Sequence, residues 1–405
     1  MGRGEQRNGG WSDIQQELLE EILRKLTLFD YLKCRRVCRS WRRIVNDAVA
    51  TKGTCPPAPQ LPFLMLLPPT LNINKPATLL DITQEGTSYT VAPPRTWKDV
   101  YVDRVYSVEG WMVFRKVHYH KNQDLVLFFN PVSGEEFELP PLTPFSRKNS
   151  SQIVSVKLVF YSAPNSSDFL VVVCATIFSD DENNRQQLAF CKVADKSWTL
   201  IPTYEYRATL FNKFVILDWK LYAMRAYILD TVTVFNLRDS NNITFERLVM
   251  LNSNAIPKEP HIERKDGDYY RTTESEIGMT RDGDELLLVL HRALFSDKGY
   301  LTKGFHIFKL DICGPRWIEV DDLGDRVLLV DETRIQVIST RKINFLGKLS
   351  GGNCVLFSNK YVFKHDLVVF SLKDKSVKPL SLHPSSHPRL QYSGCRCLWF
   401  MPSPW

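Results

Sequence analysis

The sequence has 405 residues, of which 44% are hydrophobic and 24% are charged, and its formal net charge is +7 at pH 7. These values are ordinary for globular proteins, and they exclude a wholly disordered or fibrous chain. Residues 1–52 hold 11 Lys and Arg against 7 Asp and Glu, so more than half of the positive excess lies there. The remaining chain is nearly neutral, which argues against a polyanion such as nucleic acid as its partner.

Neither a secretory signal nor a membrane span is predicted. The first ten residues, MGRGEQRNGG, lack an apolar core, and the most apolar stretch, LPFLMLLPPTL at 61–71, is too short to cross a bilayer. The nine cysteines are odd in number and scattered, which favours reduced thiols. We therefore expect a protein of the cytoplasm, the nucleus or both, with no membrane partner.

Two amphipathic helices are predicted in the first fifty residues. Ser12 and Gln15 fit a capping box, so a helix is expected to begin at Ser12 and to run to about Leu26 with one apolar stripe. Asp30 is expected to cap a second helix, which includes RRVCRSWRRIV at 35–45. The arginines of that run are typical of a solvated helix face.

The apolar side of the second predicted helix carries Val37, Cys38 and Trp41. Two helices in about 40 residues have too little interior to bury these groups together with the leucines of the first helix. The surplus apolar surface must therefore meet either the following domain or another protein.

Two other interpretations of this segment were weighed and are disfavoured. Cys34 and Cys38 could supply half of a zinc site, but no second ligand pair follows at a usable spacing. A DNA-recognition helix would need base-reading side chains and a basic domain around it, and the sequence has neither.

A proline-rich segment separates the helical module from the rest. Residues 51–60 are expected to be a linker, because the prolines in this part of the chain exclude helix. From residue 61 to residue 405 the sequence consists of short runs rich in β-branched and aromatic residues, which predict strands. The predicted fold class is multidomain, with a helical module at 11–50 followed by an all-β domain at 61–405.

One hairpin pattern recurs five times in the β domain. Each copy has an alternating strand, a polar turn and an apolar anchor at the start of a second strand. The copies begin at Phe129, Cys191, Phe235, Phe308 and Phe370, and their anchors are Phe137, Trp198, Phe245, Trp317 and Val377. Such units bury their apolar faces by stacking into a ring. We expect a β-propeller, for which six blades are favoured and five or seven stay open.

Two further segments carry structural expectations. Residues 257–276, PKEPHIERKDGDYYRTTESE, are charged and poor in aliphatic side chains, so they are predicted to form an insertion loop on one face. The terminal segment CRCLWFMPSPW is expected to pair with the strand at 61–71 and to close the ring.

No catalytic, cofactor or metal site is predicted. The phosphate-binding, metalloprotease and nucleophile-elbow motifs do not occur in the sequence. His118 and His120 would share one face of a strand, and so would Cys395 and Cys397, but neither pair has further identifiable ligands.

Residues 11–47 resemble an F-box, whose pattern ends in V-C-R/K-x-W. The resemblance implies that this face inserts into a Skp-type adaptor, which links the chain to a cullin-RING ubiquitin ligase. The residues on the pattern, expected to bind the adaptor, are Ile14, Leu18, Leu19, Ile22, Leu23, Leu26, Leu32, Val37, Cys38 and Trp41. Gln15 replaces the usual proline, which removes a residue preorganised for the first helical turn. This change is expected to weaken the adaptor contact and to leave the fold intact.

The β domain resembles the C-terminal propeller of a large plant family of F-box proteins, named after inhibitors of a brassinosteroid-signalling kinase. The likeness lies in residues 304–331, 351–357, 369–377 and 398–403. It implies a propeller that binds a target protein of unknown identity.

Together the resemblances imply the substrate-recognition subunit of a ubiquitin ligase, which is not itself an enzyme. The alternative is a propeller enzyme or a small-ligand or glycan-binding protein that uses the helical module for oligomerisation. A nucleic-acid binder that uses RRVCRSWRR is a third interpretation.

Overall fold

The computed structural model describes the following residues of the chain: 10–50, 62–67, 76–82, 87–92, 101–118, 123–142, 153–177, 185–192, 194–202, 211–225, 228–252, 262–265, 268–296, 299–331, 333–341, 351–359, 366–380 and 396–403. A helical module precedes six β-sheets.

The helical module has three α-helices and two short 3₁₀ turns. The helices are α1 (Gln16–Leu23), α2 (Leu28–Lys33) and α3 (Arg39–Ala50), and the 3₁₀ turns span Trp11–Asp13 and Cys34–Arg36. The core of the module is formed by the buried residues Leu19, Leu23, Tyr31, Cys34, Trp41, Ile44, Val45 and Ala48.

The predicted start of the first helix is wrong. Ile14 and Gln15 are extended, and α1 begins at Gln16 with Gln15 at the N-cap position and no side-chain capping bond. Ser12 lies in the preceding 3₁₀ turn and does not cap α1. The helix also ends earlier than predicted, at Leu23.

The predicted second helix is divided in two, and Asp30 does not cap it. Thr27 caps α2, because its Oγ1 accepts a hydrogen bond of 3.3 Å from the amide of Asp30. The chain then tightens into the 3₁₀ turn at Cys34–Arg36 and re-enters a helix at Arg39. The Cys38 Sγ accepts from the amide of Trp41 at 3.5 Å, which satisfies a free donor of the first turn of α3.

The six sheets are the blades of a six-bladed β-propeller, which confirms the favoured prediction. We label them A to F. Blade A holds β1 (Phe63–Leu67), β2 (Ala77–Asp81), β3 (Ser88–Val91) and β26 (Arg396–Phe400); blade B holds β4 (Tyr101–Val108), β5 (Trp111–His118), β6 (Gln123–Phe129) and β7 (Glu136–Glu138); blade C holds β8 (Ile153–Phe160), β9 (Leu170–Ile177), β10 (Arg185–Lys192) and β11 (Thr199–Ile201).

The other three blades follow in chain order. Blade D holds β12 (Phe211–Leu217), β13 (Lys220–Arg225), β14 (Ile228–Asn236) and β15 (Thr244–Val249); blade E holds β16 (Ile262–Lys265), β17 (Asp268–Asp282), β18 (Glu285–Ser296), β19 (Gly299–Asp311) and β20 (Arg316–Glu319); blade F holds β21 (Arg326–Val330), β22 (Ile335–Ser339), β23 (Cys354–Asn359), β24 (Asp366–Ser371) and β25 (Val377–Pro379).

The central strands of the blades are apolar on both sides, because each blade is packed between two others. In β9, LVVVCATI, all residues except Thr176 are buried. Strands covered on both faces read as continuous hydrophobic runs in the sequence.

The five predicted hairpins are the outer strand pairs of blades B to F. They are β6–β7, β10–β11, β14–β15, β19–β20 and β24–β25. Trp198 and Trp317 are buried as anchors, whereas Phe245 is 42% exposed and does not anchor the core of blade D.

Blade A is closed by the C-terminal strand, as predicted. β26 pairs antiparallel with β1, in register from Phe63 opposite Phe400 to Leu67 opposite Arg396. β26 is the innermost strand of the blade. Beyond it, the carbonyl of Ser403 accepts a hydrogen bond of 3.1 Å from Asn130 Nδ2, which joins the closing segment to blade B.

The predicted insertion loop at 257–276 is wrong for the residues that the structure describes. Residues 262–265 form β16, and residues 268–276 form the first half of β17. β17 pairs with β18 from Arg271 opposite Phe295 onwards. β16 pairs with the start of β17, and β17 pairs with β18, so backbone hydrogen bonds form these strands without many aliphatic side chains. Residues 257–261 lie outside the described residues.

The helical module contacts blade A through aromatic rings. Phe29 of α2 stacks on Tyr89 of β3, with ring centroids 3.8 Å apart, and meets the ring of Phe63 edge-on at 5.4 Å. Part of the surplus apolar surface of the module is therefore covered by the propeller. The predicted linker at 51–60 lies outside the described residues, and the predicted domain boundaries stay predictions.

No helix in the described part of the chain is long and apolar enough to cross a membrane. The cysteines in that part are free thiols: Cys34, Cys38, Cys174, Cys191, Cys313, Cys354 and Cys397.

Candidate functional site

The ten predicted adaptor-binding residues separate into three groups by exposure. Leu19, Leu23 and Trp41 are buried in the module core. A second group is partly buried: Ile14, Ile22, Leu26, Leu32 and Cys38. Leu18 and Val37 are 50% and 54% exposed. The buried group shapes the module and has almost no side-chain surface to offer a partner.

Leu18 and Val37 are the predicted residues that a partner can cover. Leu18 lies on α1, and Val37 lies between the 3₁₀ turn and α3. Trp11, which the pattern did not include, is 70% exposed. Its carbonyl accepts a hydrogen bond of 2.9 Å from Trp41 Nε1, and the two indole rings meet edge-on. Large apolar side chains this exposed are candidates for a protein contact.

The arginine run is mostly solvated, as predicted. Arg36, Arg39, Arg42 and Arg43 are exposed, whereas Arg35 is partly buried and its carbonyl accepts from Arg42 Nε at 3.0 Å. The run is therefore a charged margin beside Val37 and not a continuous helical face.

Cys34 and Cys38, which the sequence offers as half of a zinc site, gain no further ligand among the described residues. Within the described ranges, no three His, Cys, Asp or Glu side chains are grouped so that they could hold a metal ion. Burial raises the pKa of the Cys34 thiol, which disfavours the thiolate that binds zinc. The side chain of His118, and residues His120 and Cys395, lie outside the described part.

A second candidate site, which the sequence did not predict, is the central channel of the propeller. The channel encloses a cavity of ≈ 640 Å³, lined by the inner strands of blades B to F and by Met401 after β26. Four cationic side chains line it: Lys157, Lys213, Arg281 and Arg334. They come from blades C, D, E and F, so no spacing in the sequence connects them.

Lys213 is the most unusual of these residues. It lies in β12, FNKFVIL, where Asn212 is the only other polar residue, and its side chain is buried. Its Nζ donates a hydrogen bond of 3.2 Å to Asn212 Oδ1, and Lys157 Nζ donates one of 2.9 Å to the carbonyl of Asn212. Burial, together with the charge of Lys157, lowers the pKa of Lys213 to about 7. A lysine in an apolar inner strand was the one available sequence signal.

The acidic groups of the channel have structural partners. Asp282 pairs with Arg326 at 2.6 Å, and Arg326 also reaches Glu285 at 3.0 Å. Asp331 is buried, and its Oδ1 accepts from the amides of Thr333 and Arg334. These groups hold turns and blades together, and nothing in their geometry marks a pair of catalytic carboxylates.

Comparison with known proteins gives two matches to family models. The F-box domain model matches residues 11–49, and the KIB1-4 beta-propeller model matches residues 79–371. The two matches coincide with the helical module and with most of the six-bladed ring.

Relatives from Arabidopsis thaliana span almost the whole chain. At4g22180 is 22% identical over 432 residues, which cover 99% of this chain and 96% of the relative. F-box protein At2g05970 is 21% identical over 411 residues, which cover 98% and 97% of the two chains.

Solved structures resemble the chain only distantly. TolB from Acinetobacter baumannii gives a TM-score of 0.36 at 11% identity, covering 90% of this chain and 73% of TolB. A prolyl endopeptidase gives a TM-score of 0.33 at 9% identity, and the match covers 84% of this chain and about half, 53%, of the peptidase. Scores this low carry no argument about activity. With its family model matched over residues 79–371 and an F-box domain ahead of it, the chain belongs to the KIB1-4 β-propeller family of F-box proteins.

Proposed function

We propose that the chain is the substrate-recognition subunit of a cullin-RING ubiquitin ligase. The F-box module would dock a Skp-type adaptor, and the propeller would present a target protein to the ligase in the cytoplasm, the nucleus or both. Ubiquitin transfer would then be accelerated by proximity, with no catalytic side chain in this protein.

The observation that carries the proposal is the exposure of Leu18 and Val37 on a module whose other predicted contact residues are buried or half-buried. The module does not need these two side chains for its own core. Interface residues of this kind lose water contact only when a partner covers them.

The test is a pull-down of a purified Skp-type adaptor with the full chain. Leu18→Asp and Val37→Asp each place a charge in the proposed contact and should weaken adaptor binding by about tenfold or more. Because both positions are exposed, the variants should keep the melting temperature of the wild type. Substitutions of the buried Leu19 or Trp41 would unfold the module and could not separate binding from folding.

The matched control is Leu251→Asp, since Leu251 is 78% exposed on the propeller and the chemical change is the same. The control should bind the adaptor as the wild type does. If the wild type shows no binding, or if Leu18→Asp and Val37→Asp bind normally, the proposed adaptor contact is wrong.

A further inference from the structure

The inner strands of blades C and D bring two lysine side chains to one residue. Lys157 lies in β8, and its Nζ donates a hydrogen bond of 2.9 Å to the carbonyl of Asn212. Lys213 lies in β12, and its Nζ donates one of 3.2 Å to Asn212 Oδ1. Because both acceptors belong to Asn212, the two amines are held close together. The positive charge of Lys157 therefore disfavours protonation of Lys213.

Lys213 is also removed from water. Only 3% of the residue is exposed, and it is followed in β12 by the buried Phe214 and Val215. Desolvation and a neighbouring cation are the two conditions under which a lysine becomes a neutral nucleophile. Burial and, after it, the charge of Lys157 lower the pKa of Lys213 to about 7. About half of this amine is neutral at pH 7, against less than about 0.1% of a solvated lysine.

The charge of the channel lining as a whole is mixed. Asp282 is paired with Arg326 at 2.6 Å. Burial lowers the pKa of Arg334, and the charges of Glu109 and Asp331 oppose that shift. The feature that sets Lys213 apart is therefore the state of its own amine and not an excess of one charge in the channel.

The small exposure of Lys213 limits the size of a reagent that can reach it. The residue lines the cavity of ≈ 640 Å³, which leaves room for added atoms, but an exposure of 3% admits only a very small molecule to the side chain. Carbon dioxide is linear, has three atoms and is dissolved in every respiring cell. It combines with amines only in their neutral form, which burial favours.

We propose that Lys213 is a carbamylation site, at which dissolved carbon dioxide adds reversibly to Nζ. The lone pair of the amine attacks the carbon atom and forms an N–C bond, one C=O electron pair moves onto oxygen, and an N–H proton passes to solvent. The product is a carbamate anion, so no oxidant or further reactant is needed. The negative charge forms beside Lys157, which favours the adduct whatever else Lys157 contacts. This inference goes beyond the ligase role and does not depend on adaptor binding.

The experiment traps the adduct on the full chain. The protein is equilibrated with ¹³C-labelled bicarbonate and carbon dioxide at about pH 7.5, where the amine of Lys213 is mostly neutral. Triethyloxonium then converts any carbamate into a stable ethyl carbamate. Peptide mass spectrometry should find the label on Lys213 at an occupancy at least about tenfold higher than on the exposed Lys373.

A short peptide with a free α-amino group, whose pKa is about 7.7–8.0, shows that the trap works. If this peptide is labelled and Lys213 is not, the proposal is overturned. Equal occupancy on Lys213 and Lys373 would overturn it as well, because the buried amine would then have no special reactivity.

Variants separate the roles of the two lysines. Lys213→Met should abolish the carbamate signal in the ¹³C NMR spectrum of the intact protein, and the matched control Lys373→Met should keep it. Lys157→Met leaves the reacting amine in place and removes the charge beside it, so occupancy of Lys213 should fall about tenfold. Melting temperatures show that each variant is folded. An unchanged signal in folded Lys213→Met, or full occupancy of Lys213 in folded Lys157→Met, would show the proposal to be wrong.

Discussion

Lys213 shows how one residue can be costly to the fold. Its ammonium is buried in the wall of the channel, and the pKa falls from 10.5 to about 7 because of burial and the nearby Lys157. In the unfolded chain the amine stays protonated up to about pH 10.5, whereas in the folded protein it loses its proton above about pH 7. The folded state therefore holds fewer protons between these values, and this residue makes the protein more stable as pH rises from 7 to 10.5.

Lys213→Met should remove this cost, since Met keeps the length of the side chain without the charge. We expect the variant to have a larger free energy of unfolding than the wild type. This gain over the wild type should be on the order of 3 kcal/mol larger at pH 6 than at pH 9.5. Urea unfolding of both proteins at the two pH values measures it. Lys373→Met should show no such pH dependence, and a difference that does not change with pH would contradict the low pKa of Lys213.

Strands and their pairing were largely predictable, because alternation and turn residues are local signals. The hairpins that begin at Phe129, Cys191, Phe235, Phe308 and Phe370 form as predicted, and so does the pairing of the terminal segment with the first strand. The prediction of a loop at 257–276 was wrong for the described residues, since β16 and β17 are stabilised by the backbone ladders β16–β17 and β17–β18 and not by an apolar pattern.

Helix boundaries and the channel were less predictable. The spacing of apolar residues after residue 30 fits one long helix nearly as well as it fits α2, a 3₁₀ turn and α3. Which of the two forms depends on capping by Thr27 and Cys38. Leu19 is buried and its neighbour Leu18 is exposed, and this difference depends on how the three helices pack. The channel cations come from four blades, so only closure of the ring brings them together.

The closing strand β26 is held by a side chain as well as by its ladder. Asp331 Oδ2 accepts from the amide of Trp399 at 2.9 Å, while Oδ1 accepts from Thr333 and Arg334. Trp399 is fully buried, and its Nε1 donates to the carbonyl of Val330 at 3.1 Å. One carboxylate of blade F thus fixes the innermost strand of blade A.

Asp331→Asn should weaken this attachment, because the amide group has one acceptor oxygen where the carboxylate has two. Either the Trp399 amide or the Thr333–Arg334 turn then faces an N–H group, and the free energy of unfolding should fall by about 1–3 kcal/mol. Asp168→Asn, at an exposed position, should change it by less than about 0.5 kcal/mol. Equal urea midpoints for the two variants would show that Asp331 does not hold the strand.

At the scale of the whole molecule, the aromatic joint of Phe29, Tyr89 and Phe63 sets where the F-box module lies against the propeller. A ligase subunit of the proposed kind acts by geometry, so the direction in which the module faces decides where a bound target lies relative to the adaptor. The joint is small, and stacked aromatic pairs contribute about 0.5–1.5 kcal/mol beyond their burial.

Phe29→Ala should loosen this joint without unfolding either part. Small-angle X-ray scattering of the full chain should show a larger maximum dimension than for the wild type, because module and propeller then adopt a range of orientations. The proposed adaptor binding through Leu18 and Val37 should be unchanged. The control is Phe245→Ala, which alters an exposed ring of blade D. If both variants gave the scattering curve of the wild type, Phe29 would not hold the module against the propeller.

Closure of blade A by β26 has a consequence for synthesis on the ribosome. β1 leaves the ribosome early, but its partner follows more than 300 residues later, after about 15–65 s at ordinary rates of translation. During that time the F-box module is complete while the ring is open and the inner edge of β1 is unpaired. The nascent chain thus acquires its F-box module well before its propeller, and unpaired strand edges of this kind are what chaperones protect.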